Sequence, residues 1–243
     1  ASKGKACLEI GMRTKTETFD DDIAEDELLE VIKYYNSNKD YHGILVQLPL
    51  PKHINEDRVI ETISPKKDVD GFHPVWVGSL VIGKDTFASW TPAGVQELLE
   101  RYKIGTEGEH VVVVGRSNIV GKPIANIMLQ KAEGANSIVT IVHSAANDIS
   151  YYTKQADILI AAIGKAEMIK ADMVKNGVTV IDVGINRIDD STKTKGYRLV
   201  GDVDFENVSK KASFITPVPG GVGPMTIAML LSNTYKAYKL YGE

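Results

Sequence analysis

The sequence predicts an α/β protein whose second half forms a doubly wound parallel sheet. Three observations support this fold class. After residue 104, short and continuously apolar runs recur, in the order HVVVVG, SIVTIVH, DILIAAIG, VTVIDVG and SFITP. Helical stretches such as GKPIANIMLQKA separate the earlier runs, and the first run ends in a glycine-bearing turn. Apolar strands that alternate with helices are typical of a parallel sheet covered on both faces.

The chain begins with a predicted helix, SKGKACLEIG, which ends at Gly11. The Thr-rich segment TKTETF follows as a strand candidate. In IAEDELLEVIKYYN, four residues fall on one helical face behind an acidic first turn: Leu28, Val31, Ile32 and Tyr35. This pattern predicts a second helix.

The next segments alternate between extended and helical patterns. HGILVQLPL predicts a short buried strand ended by Pro49 and Pro51, NEDRVIETI predicts a helix, and SPKKDVDGF predicts a charged loop. A turn-rich stretch leads to TPAGVQELLERY, a helix with Thr91 as N-cap and Pro92 as its first residue. Beyond the sheet strands, NRIDDSTKTKGYR predicts an exposed loop or hairpin, and IAMLLSNTYKAYKL predicts a terminal helix.

The composition suits one large or two modest globular domains. The chain has 243 residues, of which 43% are hydrophobic, so it can bury a core. Lys and Arg number 28 against 32 Asp and Glu, a balance that gives no overall basic field for nucleic acid or an anionic membrane. Cys7 stands alone, and no apolar run approaches the roughly 18 to 20 residues of a membrane span. We therefore expect a soluble protein of a reducing compartment.

Metal and nucleophile sites find little support in the sequence. The histidines lack the i, i+4 spacing of a zinc helix and have no cysteine pair to join, so we predict no metal. No G-x-S-x-G elbow is present, and Cys7 is expected to be a buried small hydrophobe. Tyr235 and Lys239 have a Tyr-x-x-x-Lys spacing, but we expect them on the exposed face of the terminal helix.

The turn VVVVGRSNIVGKP carries a candidate nucleotide site. Gly115 and Gly121 remain from G-x-G-x-x-G, whereas Ser117 stands at the middle position, so this motif alone leaves nucleotide binding open. The next strand ends in VHSAAN, without the acid that holds a ribose 2′-hydroxyl. Arg116 and Ser144 are available to a 2′-phosphate instead, which indicates NADP. A solvated loop arginine and a helix-capping serine are the alternatives.

The loop TPVPGGVGPMT precedes the terminal helix and combines proline with glycine from Pro217 to Pro224. Proline fixes φ, while glycine lets another backbone or a ligand come close. The segment predicts a preshaped surface for contact. An ordinary Pro/Gly turn is the alternative.

Seven motifs resemble one known family in order and spacing: HGILVQLPLP, KDVDGFHP, TPAG, VVGRSNIVGKP, DVGIN, GDV and ITPVPGGVGPMT. Over essentially the whole chain they resemble the bifunctional methylenetetrahydrofolate dehydrogenase/methenyltetrahydrofolate cyclohydrolase family. The resemblance implies two α/β domains with a folate cleft between an N-terminal catalytic domain and a Rossmann-type NADP-binding domain. It implies residues 1–95, completed by the helix 223–243, for the first domain and 96–222 for the second. It also implies a cytoplasmic homodimer.

The resemblance implies a role for particular residues. Lys3 matches the catalytic lysine, Gln47 the glutamine that hydrogen-bonds it, and Asp70 the aspartate that binds the pterin. The other implied substrate-binding residues are Leu48, Pro217, Pro219, Gly220, Gly221 and Gly223. The implied cofactor-binding residues are Gly115, Arg116, Ser117, Gly121, His143, Ser144, Gly184 and Ile185. Without the resemblance, the sequence favours a surface lysine for Lys3, a polar group at a strand end for Gln47 and a turn former for Asp70.

The chain departs from the family pattern in three places. The family's tyrosine, four residues before the lysine, would precede Ala1, and we expect that an opening segment is omitted from the sequence. Ala146 stands where many members have threonine, which weakens the NADP assignment. Trp90 stands where cysteine is common, with no evident functional cost.

The implied activity is oxidation of 5,10-methylenetetrahydrofolate by NADP⁺, followed by hydrolysis of the methenyl product to 10-formyltetrahydrofolate. Two alternatives stay open. One is a family member that has kept only the dehydrogenase. The other is a catalytically silent protein that binds folate or nucleotide.

Overall fold

The computed structural model describes residues 2–242, and the chain divides into two compact units. Unit 1 comprises Ala1–Trp90 and Ile227–Glu243, and unit 2 comprises Thr91–Thr226. The domain ranges expected above stay a prediction, and their outermost residues, Ala1 and Glu243, lie outside the described part of the chain.

Unit 1 begins with four helices: α1 (Ser2–Glu9), α2 (Glu25–Ser37), α3 (Glu56–Thr62) and α4 (Pro74–Val81). The first three were expected from the sequence. The apolar face of α2 packs Leu28, Leu29 and Ile32 into a cluster with Val59 of α3 and the nearby Ile54. The helix α3 begins where the Asn55 side chain accepts a hydrogen bond from the backbone of Arg58.

Two strand predictions in unit 1 are wrong. Residues 14–19, TKTETF, are exposed and form no regular secondary structure. The HGILVQLPL segment makes a single parallel bridge, between Ile44 and Asp68. A strand requires a hydrogen-bonded neighbour along its length, and a high β-propensity does not supply one.

The turn-rich stretch contains α4, which the sequence analysis missed. Pro74 is its first residue, and the His73 ring nitrogen Nδ1 accepts the backbone N–H of Val75 at 3.2 Å. The next helix, α5 (Trp90–Arg101), begins one residue before Thr91. Thr91 therefore lies inside the helix and is not its N-cap, and Pro92 is the third helical residue.

Unit 2 is built around a five-stranded parallel sheet with the order β2-β1-β3-β4-β7. Its strands are β1 (His110–Val114), β2 (Ile138–Val142), β3 (Ile158–Ala161), β4 (Thr179–Asp182) and β7 (Phe214–Ile215). The helices of this unit between the strands are α6 (Gly121–Leu129), α7 (Ile149–Thr153) and α8 (Phe205–Val208). The predicted parallel sheet is confirmed, and its strand order reverses between β1 and β3. In such sheets, ligands bind beyond the carboxyl ends of the strands at that reversal.

The polar stretch after β4 forms an antiparallel hairpin of β5 (Asn186–Asp189) and β6 (Tyr197–Val200), so the hairpin alternative is correct. The last element is α9 (Val222–Tyr241), on which Tyr235 and Lys239 are exposed as expected. Cys7 is half-buried and not fully buried. No helix in residues 2–242 is long and apolar enough to cross a membrane.

Candidate functional site

Lys3 lies on α1 in unit 1 and is held by two neighbours. Its ammonium donates a hydrogen bond to Gln47 Oε1 at 3.1 Å and lies 4.2 Å from the ring centroid of Trp90. The other end of the Gln47 amide donates from Nε2 to the backbone carbonyl of Leu48 at 3.0 Å. Because the Nε2 end is engaged, the amide presents its oxygen to Lys3.

Asp70, also in unit 1, is 3% exposed, and its Oδ1 has no hydrogen-bond partner among the described residues. A buried acceptor without a donor is costly, and such a group is expected to meet a ligand. The neighbouring Asp68 is already satisfied, since it accepts the backbone N–H groups of Gly71 at 3.1 Å and His73 at 2.7 Å. The concavity beside Asp70 is lined by apolar side chains that include Leu48 and Phe72.

The two charged groups of this site have shifted pKa values. Burial lowers the pKa of Lys3, and the charge of Asp70 opposes that shift. Burial, with the nearby Asp68, raises the pKa of Asp70 well above its usual range, and Lys3 opposes it. A lysine with a lowered pKa can exchange protons closer to neutral pH. The site can therefore bind a ligand that carries an N–H donor, and Lys3 can exchange a proton with that ligand.

In unit 2, the turn after β1 lies at the strand-order reversal. Gly115 has φ of 137°, and a Cβ there would lie 2.2 Å from the carbonyl oxygen of Ala162, just after β3. A Cβ at Gly121 would lie 2.4 Å from the Gly115 carbonyl oxygen. Only glycine fits these two positions, because the turn packs backbone against backbone.

The Ser117 side chain lies beside the start of the helix that follows this turn. Its hydroxyl oxygen accepts the backbone N–H groups of Val120 at 3.1 Å and Gly121 at 3.2 Å. The hydroxyl can still donate outward, so a role in cofactor binding remains a prediction. The start of α6 is thus a fixed helix N-terminus beside the glycine turn, a place where phosphates bind.

Arg116 and His143 meet where β1 and β2 end. Arg116 Nη1 lies 3.4 Å from His143 Nε2, and His143 Nδ1 accepts the backbone N–H of Ala145 at 3.3 Å. Ser144 is exposed beside them. The end of β2 therefore presents donors and no carboxylate, as the phosphate-binding hypothesis requires.

Two buried aspartates form a network that the sequence analysis missed. Asp182 accepts the backbone N–H groups of Gly184, Asp202 and Val203 at 2.9 to 3.0 Å. Asp202 in turn accepts from Asn186 Nδ2 and from three backbone N–H groups, those of Ile163, Gly164 and Lys165. A Cβ at Gly184 would lie 2.2 Å from Asp202 Oδ1, while Ile185 is 63% exposed. The aspartates within the motifs DVGIN and GDV were the available signal in the sequence.

The Pro/Gly loop of unit 2 is a closed turn. Gly221 donates its backbone N–H to the Pro217 carbonyl at 2.9 Å, and Gly220 has φ of 105°. Pro217, Pro219 and Gly220 are exposed, and Gly223 lies in the first turn of α9 with open space around it. A contact between these residues and a substrate stays a prediction.

The structure thus brings the site residues together in two groups. Lys3, Gln47, Leu48 and Asp70 belong to unit 1, and all the remaining predicted residues belong to unit 2. Within residues 2–242, no group of three His, Cys, Asp or Glu side chains could hold a metal ion.

Comparison with known proteins identifies both units. Residues 1–70 match the catalytic domain of tetrahydrofolate dehydrogenase/cyclohydrolase, and residues 89–241 match its NAD(P)-binding domain. The bifunctional protein FolD of Chloroherpeton thalassium is 59% identical over 98% of this chain and 82% of its own length.

Two solved structures resemble the fold with a TM-score of 0.92. The FolD methylenetetrahydrofolate dehydrogenase/cyclohydrolase of Campylobacter jejuni is 50% identical, and the match covers 98% of this chain and 82% of that chain. The Trypanosoma brucei enzyme, complexed with NADP cofactor and an inhibitor, is 38% identical over 98% of this chain and 80% of that chain.

Proposed function

This chain belongs to the tetrahydrofolate dehydrogenase/cyclohydrolase family, and from that premise we infer that it is a bifunctional enzyme of one-carbon folate metabolism. It oxidises 5,10-methylenetetrahydrofolate with NADP⁺ and hydrolyses the methenyl product to 10-formyltetrahydrofolate. The observation that carries this conclusion is the hydrogen bond from Lys3 to Gln47 in the site that also holds Asp70. An oriented lysine serves hydrolysis, whereas hydride transfer has no need of one.

We propose that Asp70 and its apolar neighbours bind the pterin. The free Oδ1 accepts an N–H group of the ring, and that hydrogen bond favours the ionised carboxylate despite its burial. Leu48 and Phe72 cover the flat ring. Binding thus supplies the donor that this buried oxygen lacks.

Lys3 moves the proton in the second reaction. Water adds to the cationic methenyl carbon, the bond from that carbon to N5 breaks, and the formyl group stays on N10. Of the two water protons, one goes to N5 and the other is released, and the amine of Lys3 is the group that takes and returns them. Gln47 fixes the direction of Lys3 Nζ without the full charge of a carboxylate, which would hold the lysine permanently protonated.

The residues of unit 2 fit NADP. The glycine turn of Gly115 and Gly121 lets the backbone approach a pyrophosphate, with Ser117 at the helix N-terminus. Arg116 and Ser144 hold the 2′-phosphate, and the other binding residues are His143, Gly184 and Ile185. When bound, NADP⁺ accepts the hydride from the methylene carbon. The Pro217–Gly223 loop is proposed to contact the folate.

The test is the variant Lys3→Met, whose formation of NADPH and of methenyltetrahydrofolate is measured spectrophotometrically. Hydrolysis should fall by about 10² to 10⁴, because the acid–base group is lost, while the dehydrogenase survives in part and the methenyl compound accumulates. Lys5→Met is the matched control, since Lys5 is exposed on the same helix and pairs with Glu9 at 3.7 Å.

Each competing function has its own result in this assay. Accumulation of methenyltetrahydrofolate by the unmodified protein would identify a dehydrogenase without cyclohydrolase. No NADPH at all would identify a silent binding protein. Equal loss of both activities in a folded Lys3→Met would mean that Lys3 chiefly binds folate.

We further propose that the enzyme is a cytoplasmic homodimer that acts on small folates and needs neither nucleic acid nor a membrane. The family resemblance and the net charge of −4 support this. Sedimentation velocity tests the dimer, and a monomer at micromolar concentration would contradict it.

A further inference from the structure

The ring of Trp90 contacts the ammonium of Lys3. Nζ lies 4.2 Å from the ring centroid, within the range of a cation–π interaction. Trp90 is the first residue of α5 and packs against a buried cluster of unit 1 that contains Val69, Phe87 and Leu230. The packing fixes the ring independently of Lys3. The presence of tryptophan at this position was expected to have no evident functional cost, whereas the contact connects its ring to the predicted catalytic lysine.

We propose that Trp90 is a positioning residue for hydrolysis, whose ring face holds the Lys3 ammonium where Gln47 accepts its hydrogen bond. The proposal rests on the proposed function. A ring face attracts a cation without accepting its proton, and the Gln47 oxygen supplies direction at 3.1 Å. Two neutral partners therefore hold Nζ, and neither can compete with the substrate for the proton.

The ring also acts on the charge of Lys3. The charged groups near Lys3 are Asp70 and, beyond it, Asp68. Burial lowers the pKa of Lys3, and Asp70 raises it. Because the ring stabilises the ammonium, its removal should lower the pKa of Lys3 further. The pKa of Lys3 should fall in a variant without the ring whether Lys3 acts as an acid or as a base.

The first measurement is the pKa of Lys3 in protein labelled with ¹³C at lysine Cε, with the Lys3 signal assigned by its absence in Lys3→Met. Trp90→Leu should lower this pKa by about half to one unit. Trp90→Phe, which keeps a ring of weaker attraction, should give a smaller decrease and less risk to folding.

Trp76→Phe is the matched control. Trp76 packs against the same cluster, where its ring meets Phe87 edge-on at 5.1 Å and its Nε1 donates to the Pro65 carbonyl at 2.8 Å. This substitution should leave the pKa of Lys3 unchanged. If the substitutions acted by loosening the cluster in general, the pKa of Lys3 would change in Trp76→Phe as well as in the Trp90 variants.

The second measurement is the pH profile of hydrolysis. In Trp90→Leu, the apparent pKa of the hydrolysis rate that is due to Lys3 should fall by the same amount as the pKa of Lys3 measured by NMR. The pH dependence of the dehydrogenase rate should not change. An unchanged pKa of Lys3 in folded Trp90→Leu or Trp90→Phe overturns the proposal. If the pKa moves but the unmodified protein does not hydrolyse methenyltetrahydrofolate, the proposed function fails, and with it the positioning role in hydrolysis.

Discussion

Arg116 is the residue on which cofactor choice depends. It lies just after β1 beside His143, and residues 143–147, directly after β2, include no acid to hold a ribose hydroxyl. A guanidinium contact with a phosphate contributes about 1.5 to 3 kcal/mol. We therefore expect Arg116→Ala to weaken NADP⁺ binding by roughly tenfold to a hundredfold and to leave NAD⁺ binding nearly unchanged.

Titration calorimetry with both nucleotides measures this difference. Lys122→Ala is the control, because Lys122 is an exposed cation of the same turn region that donates to Asn118 Oδ1 at 2.7 Å. Comparable losses for NADP⁺ and NAD⁺ in Arg116→Ala would show that the guanidinium does not contact the 2′-phosphate.

Asp182 links stability to pH. Burial raises its pKa from 3.8 to about 6, although three backbone N–H groups donate to it. At a pH between these two pKa values, Asp182 is protonated in the native protein and ionised in the unfolded chain. The contribution of Asp182 to the free energy of unfolding therefore falls as pH rises from about 4 to 6, by roughly 1 to 3 kcal/mol, and is constant above.

Asp182→Asn removes this titration. Urea unfolding at pH 4, 5, 6 and 7 should show a smaller decline in the variant than in the unmodified protein, because the buried Asp70 still titrates with the same sign. Asp189→Asn, at an exposed position on β5, should keep the full decline. An identical pH dependence in the Asp182→Asn variant and the unmodified protein would assign the proton to another group.

At the scale of single residues, the sequence predicted the charged and amide side chains of the candidate site. It did not predict residues whose role depends on a contact with a part of the chain that is remote in sequence. The pairing of Lys3 with Gln47 was expected, and the structure shows it. The contact of Trp90 with Lys3 was not expected, because the two residues are remote in sequence and no pattern joins a ring to an amine. The Asp182 network was missed for the same reason, since its partners are backbone groups of distant loops.

Among the elements, α9 is anchored in unit 1 in part by the buried side-chain amide of Asn233. Asn233 Nδ2 donates to the carbonyls of Val69 and Ala88, both at 2.9 Å. Asn233→Ala leaves both oxygens without this donor and should lower the free energy of unfolding by about 1 to 3 kcal/mol. Urea unfolding measures the loss, with exposed Ser232→Ala as the control. A loss no larger than that of the control would mean that water replaces the amide at little cost.

The strands β1, β3 and β4 of unit 2 were predictable because each is an apolar run that is buried by its own neighbours and bounded by turns. The same type of run in HGILVQLPL produced one bridge, since strand formation depends on a partner that the run cannot specify. The helix α4 escaped prediction because its apolar residues have no helical periodicity. Val75 and Val81 are 50% and 56% exposed. The sequence His73-Pro74 could have predicted the start of α4, but the sequence analysis did not use it.

For the whole molecule, the alternation of strands and helices was sufficient to predict the fold class, and the solved relatives have the same fold. The division into units was harder to predict, because unit 1 is not continuous along the chain. Its buried cluster joins Val69 and Phe87 to Leu230 and Ala237 of α9. Sequence periodicity reports neighbours within one segment and carries no information about such distant packing.

This discontinuity sets an order of events at the ribosome. Synthesis runs from the N-terminus, so every residue of unit 2 emerges before the part of α9 that completes the cluster of Val69 and Phe87. We expect nascent chains that have exposed residues up to 226 to protect unit 2 from protease and to leave residues before 90 open to cleavage. Equal protection of both regions at that length would show that unit 1 folds without its last helix. Until α9 has emerged, the unit that contains Lys3 therefore depends on chaperones or on rapid synthesis to keep its apolar surface from aggregating.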